Sequence, residues 1–151
     1  MPVLLVVVAY LLGTLPSAIW VASANGIDIS TFGSGNPGAS NVTRALGWRK
    51  GVWVYVLDTA KAALATGLGL GFDGRPVAYI CGAAAVVGHM FPVFRGFRGG
   101  KGVASGSGVL VVLHPILAVG SVATWWIVSK VTGKAAVGSI LSVALVPVGL
   151  A

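Results

Sequence analysis

The sequence contains no glutamate, and its whole acidic complement is Asp28, Asp58 and Asp73. Charged residues of either sign make up 9% of the chain, where a soluble globular domain carries about a quarter. Hydrophobic residues reach 56%. A chain so poor in charge cannot clothe a soluble surface, and the composition assigns it to the integral membrane proteins. The three aspartates are scattered over different segments, so no metal-ligating constellation is expected, and no cofactor. The single cysteine, Cys81, lies in an apolar run and is read as a packing residue. Aromatic residues are not interleaved with the basic ones in the manner of RNA-binding chains. The net charge of +7 is therefore assigned to cytoplasmic loops and anionic ligands, with no nucleic acid as partner.

What is present is a series of apolar segments that reads as one membrane-embedded domain over residues 1–151. The opening MPVLLVVVAYLLGTLP lacks the positive start of a signal peptide and is read as a first span, residues 3–24, interrupted by Gly13 and Pro16. Spans over 51–72 and 77–94 follow, divided by a tight turn at Asp73-Gly74-Arg75-Pro76. Glycine, at 23 residues, suits close helix packing in lipid. The stretch from Val103 to Val128 is broken by His114-Pro115. Read as a turn between short helices of about eleven and fifteen residues, this break returns the chain to the side it left. Arg44, Arg49, Lys50, Arg95, Arg98, Lys101, Lys130 and Lys134 then share one face, as the positive-inside rule prefers, with Arg75 opposite. A last apolar segment spans 135–151. The expected fold is an all-α polytopic helix bundle of about six helices. Its N-terminus is outside, and loops near 33–50, 95–102 and 130–139 converge at the cytoplasmic end.

Two polar stretches stand out. In GSGNPGASNVTR, residues 33–44, the glycines suggest a nest of backbone N–H groups. Asn36 and Pro37 read as the N-cap and first residue of a helix running to about Leu46. On that helix Asn41 and Arg44, three residues apart, share a face, and a guanidinium grips two phosphate oxygens at once. In RGFRGGKGVASG, residues 95–106, Arg95, Arg98 and Lys101 are interleaved with glycines ahead of an apolar helix. The spacing is not that of a Walker A loop. Plain turn chemistry and a topology-anchoring loop are the competing readings of these stretches. Two basic nests together favour a ligand carrying more than one phosphate-like group. Within the second span Asp58 and Lys61 lie on one helical face, as a packing ion pair or a substrate-facing group. His89 reads as an interfacial hydrogen-bonding group or a base.

AYLLGTLPSA (9–18), GSGNPGASNVTRALG (33–47), DTAKA (58–62), GHMFPVFRGFRGGKGVA (88–104) and the weaker VGSIL (137–141) together resemble the bacterial acyl-phosphate–glycerol-3-phosphate acyltransferase family. The resemblance implies an inner-membrane enzyme, usually of seven helices. Such an enzyme moves a fatty acyl group from acyl phosphate to the 1-hydroxyl of glycerol 3-phosphate, giving lysophosphatidic acid and phosphate. It also implies that Ser34, Arg44, Lys101 and Ser139 are catalytic. Gly33, Gly35, Asn36, Asn41, Lys61, His89, Gly99, Gly100 and Gly102 are the expected substrate-binding positions. The partners implied are acyl phosphate, glycerol 3-phosphate and membrane lipid, with direct transfer and no acyl-enzyme. The family's further helix and its terminal HxxN segment have no counterpart here, so the chain is expected to be a fragment or a shortened homologue. A non-catalytic homologue and, more distantly, a transporter of phosphorylated anions are the alternatives. No general base is identified: His89 and a substrate phosphate oxygen are equal candidates.

Overall fold

In the computed structural model, backbone is described for residues 1–150 and side chains for residues 1–146. Ala151, the end of the expected last segment, lies outside the described residues. The described chain is helical with connecting loops. Helix α1 (Pro2–Gly13) and helix α2 (Ser17–Ser23) form the first span, broken where Pro16 withholds a backbone donor. Helix α3 (Ala39–Leu46) is a short polar helix, and helix α4 (Trp48–Met90) is a long helical element. A 3-10 turn over Val93–Arg95 leads through the basic loop into helix α5 (Val103–Leu113). Helix α6 (Pro115–Thr132) and helix α7 (Ala135–Leu150) complete the chain.

Helix α4 is bent back on itself. Gly74, with φ 78° and ψ −173°, interrupts the helical geometry, in a left-handed φ that glycine tolerates without strain. Gly69 lies so close to Ala78 that an added Cβ would stand 2.8 Å from its Cα, so the two arms of α4 run side by side in opposite directions. The expected tight turn is thus a break centred on one glycine, with Arg75 and Pro76 already in the second arm. That arm ends at Met90, four residues before the expected Phe94, because Phe91 precedes Pro92 and a residue before proline avoids the helical region. Two further boundaries differ. Helix α3 is capped by Gly38, so Asn36 and Pro37 lie in the preceding loop, not at the helix start. Helix α6 has 18 residues, longer than the expected fifteen or so, since Pro115 is an acceptable first helical residue and Gly133 ends the helix in a left-handed conformation.

The core consists of small side chains. Ala9, Ala62, Ala65, Cys81 and Ala85 pack where α1 crosses the two arms of α4. A second cluster, Ala18, Ala22, Ile29, Val42 and Val54, joins α2, α3 and the start of α4. The large apolar residues face outward: Val3 is 77% exposed, Ile116 85% and Val131 81%. This inverts the soluble pattern and fits helices that meet through small residues while larger ones meet lipid. Residues Pro2–Ser23, Trp48–Arg95 and Pro115–Thr132 are helical stretches long and apolar enough to cross a membrane. The fold is the expected all-α membrane bundle.

The His114-Pro115 break is a true turn. Arg75, just past the bend of α4, donates to the Leu113 carbonyl at 3.2 Å, and Tyr79 meets His114 Nε2 at 2.5 Å. The α5–α6 turn and the α4 bend therefore lie at the same end of the bundle. Helix α6 returns, and its Trp125 lines the same cavity as Lys101.

Candidate active site

At the end opposite those turns, one cavity of about 450 Å³ gathers Ser34, Asn36, Asn41, Arg44, Lys101, Gly102 and Ser139. Three segments far apart in sequence thus meet as expected. Arg44 stands on the last turn of α3 and Lys101 just before α5; both are exposed, and neither has an ion-pair partner among the described residues. Two unpaired cations facing one polar hollow attract a multiply charged anion. Val52, Val103, Val122 and Trp125 continue the lining as an apolar wall.

The glycine loops differ from open anion nests. In the first, Ser34 N–H donates to Asn41 Oδ1 at 3.3 Å, Gly35 N–H to the Phe32 carbonyl at 2.9 Å and Gly38 N–H to the Asn36 carbonyl at 2.9 Å. In the second, Gly99 N–H caps the Met90 carbonyl at 3.1 Å and Gly100 N–H the His89 carbonyl at 3.0 Å. These donors are taken because backbone groups next to a membrane helix end need partners within the protein. Gly33 (φ 56°) and Gly35 (φ 66°) allow the left-handed turns of the first loop. Gly99 and Gly100 allow close approach, since a side chain on Gly100 would strike the His89 ring. The anion-facing groups that remain are the Ser34 hydroxyl, the Asn36 amide, Arg44, Lys101 and the open N-terminus of α5. Gly102 starts that helix in a left-handed conformation.

Asn41 does not act as a free ligand amide. Its side chain is buried, donates to the carbonyls of Ile29 (3.3 Å) and Phe32 (2.8 Å) and accepts from Ser34, so it clamps the loop that carries Ser34 and Asn36. Ser139 Oγ donates to the Ala135 carbonyl at 2.9 Å and accepts from Trp125 Nε1 at 3.3 Å, which fixes its position in the cavity wall.

Beneath the cavity, Asp58, Lys61 and His89 form a buried polar cluster. Lys61 Nζ lies 2.8 Å from Asp58 Oδ1, 2.8 Å from the Leu15 carbonyl and 2.9 Å from His89 Nδ1. Where the first span breaks at Pro16, the Leu15 carbonyl accepts from Ser17 N–H at 3.1 Å and takes its second bond from Lys61. The ion pair of the first reading for Asp58 and Lys61 is present. Lys61 is turned toward a small recess beside Thr14, Pro16 and Gly100, while Asp58 and His89 also border the main cavity.

Sequence reading did not select Tyr55, Ser107, Ser121, Trp125 or Ser142, all in the cavity wall. For Tyr55 a signal exists: it lies three residues before Asp58 on the same face of α4. The serines carry none, because a hydroxyl on a membrane helix commonly bonds its own backbone, as Ser107 does with the Val103 carbonyl at 3.1 Å.

A small-residue membrane bundle with an anion-seeking, partly apolar cavity at one end defines a membrane protein that handles amphiphilic phosphates. The glycerol-3-phosphate acyltransferase family matches residues 3–151. Glycerol-3-phosphate acyltransferase 1 of Deinococcus radiodurans is 41% identical over 95% of this chain and 75% of its own length. The enzyme of Thiobacillus denitrificans is 43% identical over 96% of this chain and 76% of its own. The crystal structure of PlsY, an integral membrane glycerol 3-phosphate acyltransferase, in its glycerol 3-phosphate form superposes with a TM-score of 0.87. It is 39% identical over 93% of this chain and 72% of that one. The lysophosphatidic acid form of the same enzyme gives a TM-score of 0.84. The chain belongs to the glycerol-3-phosphate acyltransferase family.

Proposed function

We propose that this protein transfers a fatty acyl group from acyl phosphate to the 1-hydroxyl of glycerol 3-phosphate in phospholipid synthesis. The observation that supports the reading is the single cavity in which Arg44 and Lys101, two unpaired cations, face each other's ligand space above an apolar wall. Arg44, with the Ser34 hydroxyl and the Asn36 amide, holds the glycerol phosphate. Lys101 and the N-terminus of α5 stabilise the phosphate of the acyl donor as it leaves. Ser139, steadied by Trp125, borders the reacting groups. The acyl chain lies along the valines and Trp125.

The glycerol oxygen bonds to the acyl carbon, the bond from that carbon to the phosphate oxygen breaks, and the hydroxyl proton is carried off among the products, lysophosphatidic acid and inorganic phosphate. The donor is already activated, so alignment and charge stabilisation supply the catalysis. The protein lies in the bacterial inner membrane with its N-terminus outside and the cavity facing the cytoplasm, the placement that puts the basic loops inside.

The reading is tested in proteoliposomes with acyl phosphate and labelled glycerol 3-phosphate. The assay uses the 151-residue chain and, in parallel, the chain extended with the part of the Deinococcus radiodurans enzyme that it does not match. Labelled lysophosphatidic acid that vanishes in Arg44→Ala and Lys101→Ala is expected. Absence of product from both proteins, or product that survives both substitutions, overturns it.

A further inference from the structure

Between helix α4 and Lys101 the chain makes a closed excursion. Gly99 and Gly100 return their N–H groups to the carbonyls of Met90 and His89, so residues 91–98 leave and rejoin the same helix end. The excursion begins deep. Residues 75–90, the second arm of α4, measure about 24 Å at helical rise, short of the ~30 Å hydrocarbon layer. His89, near the end of that arm, is level with Lys61, which lies about 20 Å along the first arm from Trp48. The loop therefore starts well below the first arm's beginning. Its backbone suits that depth: the Arg95 and Phe97 N–H groups donate to the Pro92 carbonyl at 3.1 and 3.0 Å, and Arg98 N–H to the Arg95 carbonyl at 3.2 Å. The apolar side chains are uncovered. Phe94 is 77% exposed and Phe97 59%, and Phe91 and Val93 are exposed too. Phe97 is also the one non-glycine among the described residues with a positive φ, 62°. With Gly96 (φ 57°) it centres a turn that glycine, asparagine or aspartate usually makes. A bulky ring held there at a conformational cost, with no protein over it, points to a partner outside the chain. Arg95 is half-buried and borders the recess beside Lys61, whereas Arg98 is exposed and has no ion-pair partner among the described residues.

We propose that residues 91–98 are a membrane-interface anchor, in which Phe94 and Phe97 enter the headgroup–acyl boundary and Arg98 binds the phosphate of an anionic phospholipid. The occupant is a lipid surface because exposed rings and a free cation share one loop at bilayer depth, the combination that interfacial segments use on anionic lipid. No acidic residue lies within 91–98 to oppose it. Depth and chemistry agree. Outside the bilayer the exposed rings would meet water, and within it an open backbone would lack partners, but this loop closes its own. The long Arg98 side chain reaches back to the headgroups from a backbone seated slightly lower. Burial of the Phe97 ring in lipid offsets the cost of its left-handed turn. The loop rejoins the chain at Gly99, two residues before Lys101, so the lipid surface holds one end of the segment that carries this cation. The anchor needs only that the helices span a bilayer and does not rest on the acyltransferase reading.

Fluorescence quenching in vesicles tests the anchor. Val93→Cys labelled with bimane places a probe in the loop and leaves Phe94, Phe97 and Arg98 intact, while Cys81 is buried and adds little background. The labelled protein is reconstituted in phosphatidylcholine vesicles doped with spin-labelled phosphatidylglycerol or spin-labelled phosphatidylcholine, each carrying its label near the glycerol end of the acyl chain. Aqueous iodide serves as the opposing quencher. Strong quenching by the lipids and weak quenching by iodide are expected, with phosphatidylglycerol preferred about fivefold. Arg98→Gln should abolish that preference without moving the probe. Phe94→Ser combined with Phe97→Asn, which suits the left-handed turn and removes only the rings, should open the probe to iodide. The measurement without these further substitutions decides the matter even where a variant does not fold. A probe reached by iodide and not by lipid overturns the proposal, as does one shielded from both, which would mark a protein contact. Equal quenching by the two lipids overturns it too, as does a preference that survives Arg98→Gln or a lipid-quenched probe in the double variant. No arm reads acyl transfer, so failure here and failure of the acyltransferase reading are told apart.

Discussion

Two polar residues of one short helix show how role follows from hydrogen-bond partners. Arg44 has none among the described residues and faces the cavity, whereas Asn41, three positions earlier, has all of its side-chain bonds within the protein. Arg44→Ala should lower kcat/KM for acyl transfer by on the order of 100-fold with an unchanged melting temperature. Arg44→Lys should restore only part of that, because an ammonium cannot grip two oxygens in a plane. Asn41→Ala should instead lower stability by about 1–3 kcal/mol, read from thermal unfolding in detergent, as it leaves buried carbonyls unpaired. Asp28 gives a residue-level test outside the membrane. The Ser30 hydroxyl and N–H, at 2.6 and 2.9 Å, hold its carboxyl below the usual carboxylate range. A depressed value in the folded protein means that the loop is favoured above the unfolded-state value, and that this contribution is lost as pH falls through the folded value. Carboxyl NMR of Ser30→Ala should show the Asp28 titration moving up toward the ordinary range. The residue types at these positions were legible in the sequence. Whether an amide faced a ligand or a carbonyl was not, because Asn41 finds its partners up to twelve residues away across a loop.

The helices meet where glycine removes a side chain. At Gly13 an added Cβ would fall on the Ala85 carbonyl, and at Gly88 on the Tyr10 carbonyl, so α1 and the second arm of α4 touch backbone to backbone. Gly13→Val and Gly88→Val should each destabilise by at least ~1–3 kcal/mol and lower the melting temperature. Gly106, on α5, has nothing within 4 Å, and Gly106→Ala should be neutral or stabilising by about 0.5–1 kcal/mol. Composition pointed to close packing through glycine in general. It could not separate Gly88 from Gly106, since both sit in apolar helical stretches and differ only in what lies opposite. Helix ends were read more reliably where proline acts locally, as at Pro115, than where a loop is shaped from a distance. Pro37 looked like a helix start, yet the chain delays the helix until Gly38 while Asn41 holds the loop.

For the molecule as a whole, the topology predicts which residues lie on which side of the membrane. Cys81 is fully buried and gives little background for thiol labelling. Asp73→Cys should react from the periplasmic side and Lys134→Cys from the cytoplasmic side. Reaction of both from the same side would refute the arrangement that brings Lys134 and Lys101 to one end. Charge scarcity, apolar runs and glycine content by themselves determined that this chain is a membrane helix bundle, because only helices satisfy their own backbone within lipid. The order of its basic and glycine-rich stretches also pointed to the family, and to the residues proposed to meet phosphate. The sequence brought the loops of Arg44, Lys101 and Ser139 to one end; tertiary structure decided the cavity those side chains line there, and that the glycine loops close on their own N–H groups. It also decided that Lys61 serves a broken helix and a histidine ring. Each of these depends on hydrogen-bond partners and backbone contacts between segments distant in sequence, where local pattern carries no information.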